Sequence, residues 1–246
     1  MRNAFNIDTP EALEILISVV SISFAFTVVF AGLGGLFTHT GEFLVFMVLS
    51  MVTVGSGFVL HEMGHKLVAI YYGGYARFQM WVQGLLLMLV TALFGFLFAA
   101  PGAVYIYAPH ISKKENGFIS LAGPVVNFLI MLVFFGLSLM SPKYIYFSFD
   151  LSALAPIFNY GSFEVWRFGA YLNFILCMFN ALPIFPLDGS KIFNWSKAAW
   201  SAFVLGIFLF GIGINLISVG FAISWVLMLL VLGAISALLF GRRKSS

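Results

Sequence analysis

One five-residue stretch of the chain, His61-Glu62-Met63-Gly64-His65, has residue types and a spacing that suit metal chemistry. Residues four apart share one face of a helix, so both imidazoles can bind the same ion. Neutral imidazoles suit Zn²⁺, and the carboxylate between them can accept a proton from water. The 18 residues before His61 carry no charge. A charged group inside a membrane helix costs about 2.5–3.5 kcal/mol, so Glu62 at this place indicates function.

A catalytic zinc site needs a third protein ligand, and Asp188 is the best candidate. Pro183 and Pro186 end the preceding helix and predict an extended stretch, in which free carbonyls and the Asp188 carboxylate can line a cavity. Apolar neighbours make an unpartnered carboxylate costly there. His39 falls in the loop after the first apolar run, and His110 stands beside basic residues as an interfacial loop residue.

The composition requires a lipid environment for the elements that carry these residues. Of 246 residues, 62% are hydrophobic and only 9% are charged, which excludes disorder, a soluble domain and a nucleic-acid binder. Backbone groups in lipid must be satisfied within the segment, so the apolar runs should be helices. The sequence predicts an all-α polytopic membrane protein of about six transmembrane helices, at 15–37, 43–65, 117–140, 166–183, 197–217 and 219–240.

The segment 81–108 is apolar enough to span, but Gly95, Pro101 and Gly102 interrupt it. If it dips in and returns, ten basic residues lie on the side of the N-terminus and two on the other side. If it crosses, the count becomes five and seven. The positive-inside rule therefore favours six crossings with a membrane-dipping re-entrant or β-hairpin segment, and places both termini on the cytoplasmic side. In this topology the second and fifth helices run the same way, so His61, His65 and Asp188 reach the cytoplasmic side together.

The paired motifs resemble those of the site-2 proteases, the intramembrane zinc metalloproteases of the M50 type. The resemblance rests on His61–His65, on the Asn-x-x-Pro-x-x-x-x-Asp-Gly pattern of 180–189, and on the Gly-Pro-x-x-Asn pattern of 123–127. It covers about 43–190, and implies one protease domain over 1–246 with accessory helices at 15–37 and 197–240. Family members often have a second glycine after Asp-Gly, where this chain has Ser190.

The resemblance implies a role for each matched residue. His61, His65 and Asp188 would hold one Zn²⁺ per chain, and Glu62 would be the general acid/base. The substrate would be a transmembrane segment of another protein, reached from the lipid bilayer and cut in a cavity that opens to the cytoplasmic side.

Two amides could complete the chemistry by donating a hydrogen bond to the oxyanion, namely Asn127 and Asn180. Both could instead join helices by hydrogen bonds. Residues 100–107 have the β-branched and aromatic character of a short strand, whose free edge could pair with an extended substrate.

Two other functions compete with the protease. A transporter or channel could use the His, Glu and Asp cluster to relay protons or carry a metal ion, since intramembrane ionisable groups are common in pumps. The chain, however, has no pair of interrupted helices in an inverted repeat. A catalytically dead relative is the third alternative, and the intact Glu62 argues against it.

Overall fold

A computed structural model of the protein describes residues 6–97, 101–108, 110–148 and 163–240. This part of the chain is mostly helical. Three helical stretches in this part of the chain are long and apolar enough to cross a membrane: Thr9–Thr38, Thr40–Tyr71 and Lys113–Met140. Shorter apolar helical stretches occur at Val82–Leu93, at Lys197–Gly213 and at Val219–Leu229, the last being the first part of a helix that continues to Phe240. The predicted helical and membrane character is thus confirmed, whereas the number of crossings stays a prediction.

The first helix, α1 (Thr9–Thr38), begins where Asp8 accepts a hydrogen bond from the backbone N–H of Glu11 at 2.8 Å. A side-chain cap of this kind satisfies one of the free N–H groups at a helix start. The helix is kinked at Gly32, whose φ of 68° lies in the left-handed region. Its buried face packs in an apolar cluster with Phe43, Phe46 and Phe168.

The stretch Thr40–Tyr71 consists of α2 (Thr40–Ser50), a π-helical turn (Met51–Gly55) and α3 (Ser56–Tyr71), which follow one another without a break. The π-helical turn adds a residue to one turn of the helix, and such turns are frequent at functional sites. It lies two turns before His61.

Two strands frame the segment that the sequence predicts to be re-entrant. Strand β1 (Tyr75–Met80) pairs antiparallel with β2 (Gly102–Tyr107), and helix α4 (Val82–Leu93) lies between them in the chain. The predicted strand at 100–107 is found from Gly102, and residue 100 lies outside the described residues. Its partner strand, β1, precedes the segment 81–108. The bounds of the predicted hairpin are therefore wrong, because its first strand begins at Tyr75. Because Met80 pairs with Gly102, the chain leaves and returns at the same end of the sheet.

The helices around the predicted site are α3, α5 (Lys113–Met140) and α6 (Val165–Asn180), which pack side by side. Helix α5 starts with a capping box between Ser112 and Glu115, which explains its sharp beginning. Turns over 181–187 follow α6, and α7 (Asp188–Trp195) begins at Asp188 itself.

The last two helices, α8 (Lys197–Gly213) and α9 (Val219–Phe240), are separated by a turn in which Asn215 has a φ of 53°. This turn separates the predicted helices 197–217 and 219–240, and the rings of Phe208 and Trp225 meet across it with centroids 5.0 Å apart. Arg167 at the start of α6 donates a hydrogen bond to the carbonyl oxygen of Asn215 at 2.8 Å, which ties this turn to the helix core. A short pair, β3 (Tyr144–Ile145) and β4 (Phe163–Glu164), closes the same end of the molecule.

Candidate metal centre

Three side chains from two helices converge near the end of α3 that the sequence predicts to face the cytoplasm. His61 and His65 stand one turn apart on α3, and Asp188 is the first residue of α7. The two Nε2 atoms are 3.0 Å apart, and Asp188 Oδ2 lies 3.3 Å from His61 Nε2 and 2.9 Å from His65 Nε2. All three residues are buried. The structure therefore brings together the three residues that the sequence predicts as ligands.

Hydrogen bonds at the far side of each ring fix which nitrogen faces the cluster. His61 Nδ1 lies 2.5 Å from Asn127 Oδ1, and His65 Nδ1 lies 2.7 Å from the carbonyl oxygen of Ile119. Both partners are acceptors, so each Nδ1 carries its hydrogen and donates it. The Nε2 lone pairs then face each other and the carboxylate. This is the usual orientation of metal-ligating histidines.

This donor set fits a single cation. Two lone pairs and a carboxylate repel one another across about 3 Å unless a positive charge lies among them. Ligands of a tetrahedral Zn²⁺, each about 2.0–2.1 Å from the ion, are about 3.3 Å apart, close to the separations observed. Two imidazoles and one carboxylate also match the ligand types of catalytic zinc sites.

Helix α5 leaves space beside the two rings because residue 123 is glycine. A Cβ atom at Gly123 would lie 2.5 Å from Nε2 of both His61 and His65. Since a methyl group there would occupy the space in front of both lone pairs, the backbone itself forms one wall of the site. The Gly-Pro-x-x-Asn motif thus supplies this wall at Gly123 and the partner of His61 at Asn127.

Glu62 lies on α3 beside the histidines but turns toward β2. Its Oε2 accepts a hydrogen bond from the backbone N–H of Val104 at 2.8 Å, and the side chain is buried. Asp188 uses its other oxygen, Oδ1, to face Lys191 Nζ at 3.5 Å. The structure thus places Glu62 next to the three predicted ligands, with its carboxylate held by a strand.

A cavity of about 350 Å³ adjoins these groups. Its lining includes His61, Glu62, His65 and Asp188, residues 101–106 along β2, and apolar side chains from α1 and α6. Asn180 also lines it, and its Nδ2 donates to the carbonyl oxygen of Leu176 at 3.0 Å, which engages one of the two amide hydrogens.

The oxyanion role predicted for Asn127 conflicts with its hydrogen bonds. Its Nδ2 donates to the carbonyl oxygen of Gly57 and to Asn173 Oδ1, each at 3.1 Å. Both amide hydrogens are therefore committed inside the helix core, and Asn127 holds His61 instead. Asn180 is the remaining amide candidate.

The sequence did not reveal the buried ion pair behind the site. Lys66, next to His65, places its Nζ 2.7 Å from both carboxylate oxygens of Glu11, and both side chains are almost fully buried. Glu11 Oε1 also accepts the backbone N–H of Phe78 in β1 at 2.8 Å. In the sequence Glu11 stands in the polar flank before the first apolar run, and only the packing of α1 on α3 identifies its partner. His39 and His110 lie on exposed connections, away from the cluster.

Comparison with known proteins agrees with the motifs. Residues 49–201 match peptidase family M50. A protein of Methanocaldococcus jannaschii whose name assigns it to the zinc metalloproteases is 36% identical over 210 residues, which cover 84% of this chain and 94% of that protein. A Bacillus subtilis protein with the same kind of name is 30% identical over 153 residues, covering 58% of this chain and 66% of its own length. No solved structure matches the chain. The chain belongs to peptidase family M50, the family of the site-2 proteases that its motifs resemble.

Proposed function

We propose that this metalloprotease is an intramembrane zinc endopeptidase that hydrolyses peptide bonds in or near transmembrane segments of other proteins. One observation carries the proposal: a buried cluster of His61, His65 and Asp188 adjoins Glu62 in a cavity bounded by apolar helices. His61 and His65 lie in the stretch Thr40–Tyr71, which is long and apolar enough to cross a membrane, and Asp188 lies against both rings. We therefore place the chemistry within the depth of the bilayer.

His61, His65 and Asp188 would hold the zinc ion, with their three ligand atoms within 4.8 Å of one another. Bound zinc supplies a Lewis acid that polarises a carbonyl oxygen and makes water a stronger nucleophile at neutral pH. The protein keeps the ligands in place through Asn127 and the Ile119 carbonyl oxygen, so little reorganisation is needed when the ion binds.

Glu62 would move the proton. Its carboxylate accepts a proton from the attacking water and then delivers it to the leaving amine nitrogen. The hydrogen bond from Val104 N–H holds Oε2 and leaves Oε1 available to the proton. The free amide hydrogen of Asn180 is the candidate donor to the developing oxyanion.

The outer edge of β2 is the candidate surface for an extended substrate. The N–H of Val104 points to Glu62, and therefore away from β1. Backbone groups alternate in direction along a strand, so those of Gly102 and Ile106 share this outer edge, which lines the cavity. A substrate strand added there would bring its backbone beside Glu62.

The proposal includes six crossings with 81–108 re-entrant, and a site that opens to the cytoplasm. The pairing of Met80 with Gly102 supports this topology, because it returns the chain to its starting point. The contact of Glu11 with Lys66 supports it too, because it puts the start of α1 at the same end of the molecule as the metal cluster.

The activity is tested by comparing purified wild type with Glu62→Gln. Bound zinc and cleavage of a membrane-protein substrate are measured for both proteins. We expect zinc in both proteins and cleavage by wild type alone, because the amide cannot take up a proton. Equal cleavage by both would contradict the proposal. Metal or proton transport by wild type without proteolysis would favour the transporter.

A second pair of variants tests the substrate edge. Ile106→Pro removes a backbone N–H on the outer edge, whereas Ile106→Ala shortens the side chain and keeps that N–H. Position 106 is preferable to 104, since Val104 N–H also holds Glu62. We expect cleavage to fall at least tenfold with Ile106→Pro beyond the effect of Ile106→Ala, at unchanged zinc content, which corresponds to the loss of about 1.4 kcal/mol. Similar cleavage by both variants would rule out strand addition at this edge.

A further inference from the structure

We propose that Asn173 is a positioning residue of the metal centre that acts on His61 through Asn127. The inference rests on the proposed role of His61 as a ligand. Asn173 lies on α6 and touches none of the three ligand side chains, yet a continuous series of hydrogen bonds leads from it to the His61 ring. Asn173 and Asn127 are both fully buried.

Two backbone carbonyls set the orientation of the Asn173 amide. Its Nδ2 donates to the carbonyl oxygen of Gly169, one turn back on α6, at 2.9 Å, and to that of Thr53 at 3.2 Å. Carbonyl oxygens only accept, so the amide nitrogen must face them and Oδ1 must face the other way. Thr53 belongs to the π-helical turn, so the irregular turn and the metal centre belong to one network.

The orientation of Asn173 in turn sets that of Asn127. Asn173 Oδ1 accepts from Asn127 Nδ2 at 3.1 Å, and the carbonyl oxygen of Gly57 accepts from the same nitrogen at 3.1 Å. With both hydrogens of Nδ2 directed to these acceptors, Asn127 Oδ1 is turned to His61 Nδ1 at 2.5 Å. His61 therefore donates through Nδ1, and its Nε2 lone pair faces His65 and Asp188.

Gly57 provides an independent sign that α3 and α6 approach each other for this network. A Cβ atom at Gly57 would overlap the Asn173 carboxamide oxygen, so only glycine lets the amide lie against α3. Loss of Asn173 would free Asn127 to rotate and place an N–H against His61 Nδ1. That rotation would oppose the ring orientation that metal binding needs. Residues that hold a metal-ligating histidine by a hydrogen bond change metal affinity by about 10- to 100-fold.

Three variants test the inference. Asn173→Leu removes both the acceptor and the donors, whereas Asn173→Asp keeps an acceptor oxygen for Asn127. Thr27→Val is the matched control, because it removes a fully buried hydrogen bond on α1, 2.8 Å to the Ser23 carbonyl oxygen, far along the chain from the network. Zn²⁺ affinity is measured by competition with a chromophoric chelator, ligand geometry by the visible spectrum of the Co²⁺-loaded protein, and stability by thermal unfolding without metal.

We expect Asn173→Leu to bind Zn²⁺ about 10- to 100-fold more weakly and to alter the Co²⁺ spectrum. Asn173→Asp should retain most of the affinity even where its unfolding temperature is lower, and Thr27→Val should retain all of it. Wild-type Zn²⁺ affinity in Asn173→Leu would overturn the inference. It would also be overturned if the loss of Zn²⁺ affinity simply paralleled the loss of stability across the three variants. If Asn173→Leu does not fold, Asn173→Asp decides the question. An altered Co²⁺ spectrum together with wild-type Zn²⁺ affinity would support the inference. A loss of Zn²⁺ affinity that is fully explained by the lower stability of Asn173→Asp would overturn it. Failure of wild type itself to bind Zn²⁺ would instead overturn the proposed function.

Discussion

Gly123 contributes to the metal centre at the residue scale by lacking a side chain. The space that its Cβ would fill lies in front of the Nε2 atoms of both histidines. A sequence motif shows that a glycine stands there, but not which atoms it faces. The reason appears only when α5 is packed against α3.

Gly123→Ala should therefore abolish or strongly weaken zinc binding while the protein still folds. The added methyl group would need His61 and His65 to move apart, which breaks the arrangement of their lone pairs. Zinc content after purification and the unfolding temperature in detergent measure the two effects.

The control for this prediction is Gly136→Ala on the same helix, where a Cβ would meet nothing within 4 Å. It should bind zinc like wild type, because alanine favours a helix by about 1 kcal/mol over glycine without obstructing any side chain. Full zinc occupancy in Gly123→Ala would contradict the role assigned to this glycine.

At the scale of elements, the first two turns of α1 connect helix α3 with strand β1. Glu11 binds Lys66 on α3 and the backbone of Phe78 in β1, and Glu14 Oε2 accepts the N–H of Met80 at 2.9 Å. Strand β1 is thus held on its outer edge by α1, while β2 is held on its outer edge by Glu62. Helices α1 and α3 and the sheet are therefore joined to one another by hydrogen bonds at this end of the molecule.

Glu11→Gln should destabilise the protein by about 3–5 kcal/mol, because Lys66 would remain buried without its counter-charge. The double variant Glu11→Gln with Lys66→Met should recover part of this loss, since the buried charge is then absent. Thermal or denaturant unfolding in detergent measures each step of this double-mutant cycle.

Glu42→Gln provides the comparison, since Glu42 is exposed at the opposite end, where it contacts Ser148. Its effect on stability should be much smaller than that of Glu11→Gln, as is usual for exposed polar contacts. An equally small effect of Glu11→Gln would show that the buried pair does not hold α1 on α3.

At the scale of the whole molecule, charged groups of the described residues gather at two ends. One end carries His61, His65 and Asp188, the Glu11–Lys66 pair, and Arg77, which faces Asp8 at 3.5 Å. The other end carries Glu164, which accepts hydrogen bonds from Ser138 Oγ and from the backbone of Lys143. The apolar helices between these ends are long enough to cross a bilayer core.

Single cysteines at Tyr71, His110 and Ser141, each in a Cys177→Ala background, test the proposed topology. Tyr71 and His110 flank the segment 75–107, and all three positions are exposed. A membrane-impermeant maleimide applied to intact cells should label only the cysteine at 141, and should label all three after the membrane is opened. Labelling of 71 and 110 from opposite sides would mean that the segment crosses the bilayer.

The sequence by itself determined the chemistry and the class of the protein. The spacing of His61, Glu62 and His65 is a local property of one helix turn, and the scarcity of charge follows from the lipid environment. The apolar residues around Asp188 made it the best candidate for the third ligand, because a carboxylate without a partner is costly in such surroundings. Each of these features can be recognised without knowing which helices touch.

Only the tertiary structure decided what surrounds the cluster. The partners Asn173 and Thr53 are 120 residues apart, and Glu11 and Lys66 are 55 apart, so no local pattern joins them. The pairing of β1 with β2 across a helix, the contact of Glu62 with Val104, and the use of both Asn127 hydrogens were likewise beyond the sequence. The physical reason is that a buried polar group must find a partner, but which partner it finds depends on how distant helices pack.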